Sequence, residues 1–154
     1  MKLGEALSLL KKEKSRLARL ILLRKGNMYA EKGKKAKFDP EKLSEEINKK
    51  IEDIRKLKIR IQRTNLDTEI DGERINLAEA IIKIGDLRSK IAHLKDLFEK
   101  ERESWYLSRD KKEKEMITQL DELEVENEME KLEIEKVQLD NKIQITNWKT
   151  VLCN

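Results

Sequence analysis

The sequence predicts an all-α fold in which long antiparallel helical hairpins form a bundle. Three observations predict it. Leu and Ile recur at spacings of three and four residues, the spacing that puts side chains on one face of a helix. The 154 residues include only one Pro and five Gly, so few points interrupt a helix. Charged residues make up 43% of the chain, and Lys, Glu, Leu and Ile at helical spacing are the signature of long helices. A hydrophobic fraction of 38% would also suit a disordered chain, but disorder carries no sustained period. Narrow apolar stripes bury little surface per residue, so a homo-oligomer is the expected way to complete the core.

The first helix is expected over Lys2 to Met28, with Leu3, Leu7, Leu10, Leu17 and Ile21 on one face and Ala6, Leu20 and Leu23 widening it. The stretch from Gly26 to Asp39, with two Gly and a lysine cluster, reads as an exposed connection. Asp39-Pro40-Glu41 then starts a second helix. Asp39 can accept first-turn amides, Pro40 at the first helical position has no amide to leave unpaired, and Glu41 complements the helix dipole. Leu43, Ile47, Ile51, Ile54, Leu57 and Ile61 mark its face. It is expected to stop near Thr64-Asn65, after about 37 Å.

Asp71-Gly72, between Ile70 and Ile75, suits either the turn of a very short β-hairpin or an irregular loop. Asn76 with Glu79 forms the reciprocal pattern of a capping box and opens a third helix. Its face is Leu77, Ile81, Ile84, Leu87, Ile91, Leu94 and Phe98. Helical character weakens around Ser104-Trp105-Tyr106-Leu107-Ser108, and a break is expected between 104 and 118. Thr118 with Asp121 is expected to cap a fourth helix. That helix carries two stripes, one of Val125, Met129, Leu132, Leu139 and Ile143, the other of Leu120, Leu123, Ile134 and Val137. Two stripes imply two neighbours.

Residues 61–68 read IQRTNLDT and residues 143–150 read IQITNWKT, sharing the Ile, Gln, Thr, Asn and Thr positions, with Leu57 and Leu139 extending the match. Thr and Asn can bond backbone groups left free at a helix end, so two helix stops explain the segments. The alternative is one domain, 1–154, made of two related hairpins, 1–68 and 76–150. Gln62, Thr64, Asn65, Gln144, Thr146 and Asn147 could form a polar site if the two ends meet. Amides and hydroxyls alone can bind, but they supply no general base or activated nucleophile.

The pattern of Ile61, Arg63, Thr64, Asn65, Thr68, Asp71 and Gly72, followed by Leu77-Ala78-Glu79-Ala80, resembles a small bacterial family. Leu139, Asp140, Ile143, Gln144, Asn147 and Trp148 extend the resemblance, as do the MKLGEAL opening and Asp39-Pro40-Glu41. Some members carry the haemolysin label septicolysin. The resemblance implies a helical fold and a bacterial source, and no activity that can be placed on residues. It is weakest over RESWYLSRDKKEKEM, residues 102–116.

Charge is unevenly spread. Residues 1–37 hold twelve Lys or Arg against three Glu, a net of +9, and residues 113–140 hold eleven acidic residues against three Lys, a net of −8. The basic amino-terminal segment is expected to face the acidic carboxy-terminal helix, within or between subunits. Nucleic acid or an anionic membrane is the alternative partner. Against nucleic acid stands the lack of aromatic residues within the first helix and the Lys32, Lys34, Lys35 and Lys37 loop, and of any recognised reading module. Against a pore stands Arg19, which interrupts the richest apolar run, Leu17 to Leu23.

The single Cys153 and single His93 allow neither an intrachain disulfide nor a Cys/His zinc cluster. Glu122, Glu126 and Glu130 lack the ExxH companion of a bundle metal site. Asp71-Gly72 lacks the oxygen ligands of a calcium loop. His93 reads as a helix-face residue, and Trp105 and Trp148 as core or interface anchors. No catalytic, cofactor or metal site is expected, and the chain is read as a non-enzymatic interaction protein. The opening has no uninterrupted apolar stretch and nothing later reaches a membrane-spanning length, so a cytoplasmic location is expected.

Overall fold

Each helix begins where an acceptor meets the free amides of its first turn. The computed structural model describes residues 1–107 and 119–154, with side chains described through Leu97 and again from Gln119. Four helices result: α1 (Leu3–Gly26), α2 (Pro40–Asp67), α3 (Leu77–Leu107) and α4 (Glu122–Lys149). Asp39 Oδ1 accepts from the Glu41 amide at 3.0 Å and opens α2, with Pro40 in the first turn. At α3 the predicted capping box closes in both directions: Glu79 accepts the Asn76 amide at 2.8 Å, and Asn76 Oδ1 accepts the Glu79 amide at 2.9 Å. At α1 only the Glu half exists, because Lys2 has no acceptor; Glu5 takes the Lys2 amide at 2.7 Å. α4 is capped by Asp121 itself, which accepts the Leu123 amide at 2.8 Å. The expected cap Thr118 lies outside the described residues, as do Phe98, Trp105 and Tyr106 as side chains. α3 continues through Ser104 to Leu107, and residues 108–118 of the predicted break are not among those described.

The chain divides into two compact units, Met1–Glu69 with Gln144–Asn154, and Ile70–Ile143. In the first, α1 and α2 run antiparallel: Lys50 pairs with Glu13 at 2.7 Å, Arg24 donates to Ser44 at 3.3 Å, and the Phe38 amide donates to Asn27 Oδ1 at 3.1 Å. In the second, α3 and α4 are likewise antiparallel: α4's Lys142 pairs at 2.6 Å with Glu73, just before α3. Further along α3, Lys83 pairs with Glu135 at 2.8 Å and Lys95 with Glu133 at 3.3 Å.

The seams follow a stricter rule than the stripes predicted. On α2 the inward positions are 43, 47, 50, 54, 57 and 61; on α1 they are 3, 6, 10, 13, 17, 20, 24 and 27. Both alternate steps of three and four, the heptad spacing of paired helices. Ile51 therefore lies outside the α2 seam, and Lys50 takes the inward place opposite Glu13. Leu7 and Ile21 likewise fall outside the α1 seam, whose buried apolar residues are Leu3 and Ala6. On α3, Leu77, Ala80, Ile84, Leu87 and Ile91 are buried, while the predicted Ile81 is 48% exposed. On α4 the first predicted stripe is inward, with Val125, Leu139 and Ile143 buried. The second stripe is a correction: Leu120, Leu123, Ile134 and Val137 are all exposed.

Between α2 and α3 the chain turns without forming a strand. The Glu73 amide donates to the Ile70 carbonyl at 3.0 Å, and the Ile70 amide to the Ile75 carbonyl at 3.1 Å. Gly72 sits in this turn at φ +77°, where a side chain would be strained.

Replacing Asp39 by Ala should cost about 1 kcal/mol in urea unfolding, because an α2 amide loses its acceptor. The Lys50 hydrogen bond and charge, with Arg16 beside it, hold the Glu13 carboxyl below its ordinary value of 4.5. The pair's contribution is then present above that value and lost as pH falls through the lower folded value. Acid titration should therefore shrink the stability gap between the wild type and Glu13→Gln.

Candidate functional site

The two IQxTNxxT segments are the last turns of α2 and α4, and the seam explains their burial. Counting on from Ile61, the next inward positions are Thr64 and Thr68; from Ile143 they are Thr146 and Thr150. Thr64, Asn65, Thr146 and Asn147 are buried, whereas Gln62 and Gln144 are exposed. Both helices end inside these segments, as predicted, with α2 running two residues past the expected Thr64-Asn65. The Thr64 hydroxyl donates to the Arg60 carbonyl one turn back at 2.9 Å, a bond compatible with continued helix. α2 runs on to Asp67, and α4 to Lys149.

Thr64 does a second job. Its Oγ1 accepts the Cys153 amide at 3.0 Å, while Arg60 Nε donates to the Cys153 carbonyl at 2.8 Å. The Cys153 thiol lies 3.2 Å from the Arg60 carbonyl as a weak donor. The same tail pairs with the start of the chain. Leu3 donates to the Thr150 carbonyl at 2.9 Å, Leu152 to the Met1 carbonyl at 3.0 Å, and Lys2 Nζ to the Lys149 carbonyl at 2.7 Å. Lys2 and Val151 form an isolated antiparallel bridge. Gly4 completes the clasp: a Cβ there would lie 2.8 Å from the Trp148 ring, so the indole rests directly on the α1 backbone. Trp148, expected as a core or interface anchor, packs on Gly4 yet remains 57% exposed.

The same local structure occurs at the α2–α3 turn. Ile70 and Leu152 are both buried two residues beyond the final Thr of their segments. The Ile70-to-Ile75 bond has its counterpart in Leu152-to-Met1, at 3.1 and 3.0 Å. The adjoining helices begin Leu77-Ala78-Glu79-Ala80 and Leu3-Gly4-Glu5-Ala6; in each the Leu and the fourth-position Ala are fully buried and the Glu takes the amide before the helix. The likeness of LAEA to LGEA was visible in the sequence and went unused there, because the two lie at a different offset from the IQxTNxxT pair.

The remaining candidates stand apart from one another. His93 is exposed on α3, and Glu122, Glu126 and Glu130 are exposed on α4. Among the described residues no group of His, Cys, Asp or Glu is placed to hold a metal ion. A groove of about 320 Å³ between α1 and α2 is lined by Leu9, Glu13, Lys50, Ile54, Leu57 and Arg60, among others. Its Glu13, Lys50 and Arg60 are engaged with one another or with Cys153. What these groups offer chemically is fixation of backbone.

The arrangement defines an all-α protein of paired helices whose ends are tied by matching polar junctions. The chain belongs to DUF6847, a family of unknown function, whose model matches residues 11–152. It is similar to a functionally unknown conserved protein from Corynebacterium diphtheriae, solved as a crystal structure. That protein is 28% identical, with 99% of each chain covered and a TM-score of 0.87. No curated protein matches the chain. Among the described residues no helix is long and apolar enough to cross a membrane.

Gly4→Ala should lower stability by about 1–3 kcal/mol by overpacking against Trp148. Gly85→Ala, whose Cβ meets nothing within 4 Å, should instead raise it by up to about 1 kcal/mol. Urea denaturation of both variants measures the contrast.

Proposed function

We propose that this protein is a self-associating structural or interaction module whose outer helical faces are its working surface, with no catalysis of its own. The observation carrying this reading is the set of apolar side chains beside each seam. Leu22 on α1, Ile82 on α3 and Leu123, Ile134 and Val137 on α4 are each more than half exposed. Exposed apolar rows of this kind mark association surfaces. The absence of an activated nucleophile or a paired acid and base in the junctions supports a role without chemistry. The likeness of the two junctions supports one domain built of related hairpins, 1–68 and 76–150.

A second reading starts from α1, which holds seven basic residues against two acidic ones. A basic amphipathic helix can lie on an anionic membrane, in keeping with the septicolysin label of the family the sequence resembles, or bind nucleic acid. Leakage of anionic liposomes, or a salt-sensitive shift of mixed DNA or RNA at low salt, would favour it.

Static light scattering and thermal melting across a hundredfold range of protein concentration should show a mass above 18.2 kDa and a melting temperature that rises with concentration. A monomer with a constant melting temperature at every concentration would overturn the first reading.

A further inference from the structure

The outer face of α1 carries a second heptad row beside its seam. Leu7, Lys11, Lys14, Ala18, Ile21 and Lys25 follow steps of four and three, and all six are exposed. α4 carries another: Leu123, Asn127, Glu130, Ile134, Val137 and Asn141 follow the same steps and are also exposed. None of these Lys and Glu residues has an ion-pair partner among the described residues.

The two rows complement each other position by position. Side by side and parallel, Leu7 meets Leu123, Lys11 meets Asn127, Lys14 meets Glu130, Ala18 meets Ile134, Ile21 meets Val137, and Lys25 meets Asn141. Apolar faces apolar and polar faces polar at every layer, which is the condition for core positions of paired helices. Pairing a row in parallel with its own copy keeps that match but fails on charge. Two α4 rows would set Glu130 against Glu130, and two α1 rows would stack Lys11, Lys14 and Lys25 against their own copies, with like charges facing each other. Charge around the rows points the same way. Residues 122–135 hold seven Glu and one Lys, against the basic excess of α1.

Resting on the self-association reading, we propose that the outer face of α1 in one copy pairs in parallel with the outer face of α4 in a second copy, with Lys14 opposite Glu130. Charged core layers weaken such a pairing but fix its register and its partner.

The test uses two full-length variants, Lys14→Glu and Glu130→Lys, checked for unchanged helicity by circular dichroism. Each alone places like charges in the layer, so each should weaken association roughly tenfold or more in sedimentation velocity. Mixed in equal amounts, they restore opposite charges at both contacts, and the wild-type dissociation constant should return. If the wild type associates but either variant does so equally well, or the mixture fails to recover, this interface is wrong while self-association stands. If the wild type is a monomer throughout, both readings fall.

Discussion

Two helices that pair through a single column of inward positions can bury only those residues that keep to steps of three and four. That constraint organises this protein. It selects Ala80 over Ile81 and places Lys50 inward although the apolar Ile51 is one position away. A seam of this width buries one strip of each helix, and a chain rich in Leu and Ile has more apolar residues than such strips can hold. The exposed Leu and Ile of α1 and α4 are the remainder. The Glu13–Lys50 pair shows the other side of the same rule. A polar pair inside a seam adds little net stability, but it penalises sliding one helix along the other, because a shifted register would leave each charge facing Leu or Ile.

The polar junctions solve a different problem. The last turn of a helix leaves carbonyls without intrahelical partners, and the chain beyond it has amides to satisfy. Lys2 Nζ meets the last-turn carbonyl of Lys149, and Thr64 accepts the Cys153 amide while its own proton goes back to Arg60 within the helix. A buried threonine at a seam position is thereby fully bonded, which removes the desolvation cost that burial would otherwise carry. Arg60 works similarly, donating to a main-chain carbonyl of the tail. These groups are occupied in holding backbone, and this argues for structure over binding more directly than residue type alone.

Much of the architecture was legible in the sequence, for identifiable reasons. The Asp39-Pro40 start and the Asn76/Glu79 box are local signals whose physics is complete within four residues, and both appear as expected. Helix faces were legible only to within one position. A stripe about 100° wide cannot tell Ile51 from Lys50 or Ile81 from Ala80, because the choice depends on how closely the partner helix approaches. The end of α2 lies two residues beyond Thr64-Asn65 for a related reason. Thr and Asn suit a stop, but a threonine bonded to the carbonyl four residues back lets the helix continue. The clasp of Cys153 onto Arg60 and Thr64 joins residues about ninety apart in sequence, and no local pattern announces such a contact. Nor did the sequence show that Gly4 lies under Trp148. The signal available was the recurrence of LGEA and LAEA before the two α-helical hairpins.

The tail that pairs with Met1 and Leu3 has a topological consequence. At the α2–α3 turn four residues, Asp71 to Arg74, span the gap between Ile70 and Ile75, whose amide and carbonyl are bonded. The equivalent bond joins Leu152 to Met1, with Cys153 and Asn154 already beyond it. Two further residues would thus bring the count to four and make the backbone a closed ring. A ring can be cut wherever the cut disturbs least, and the exposed stretch at residues 28–35 interrupts neither seam nor clasp. For this fold, an opening at residues 28–35 would leave the seams and the clasp intact.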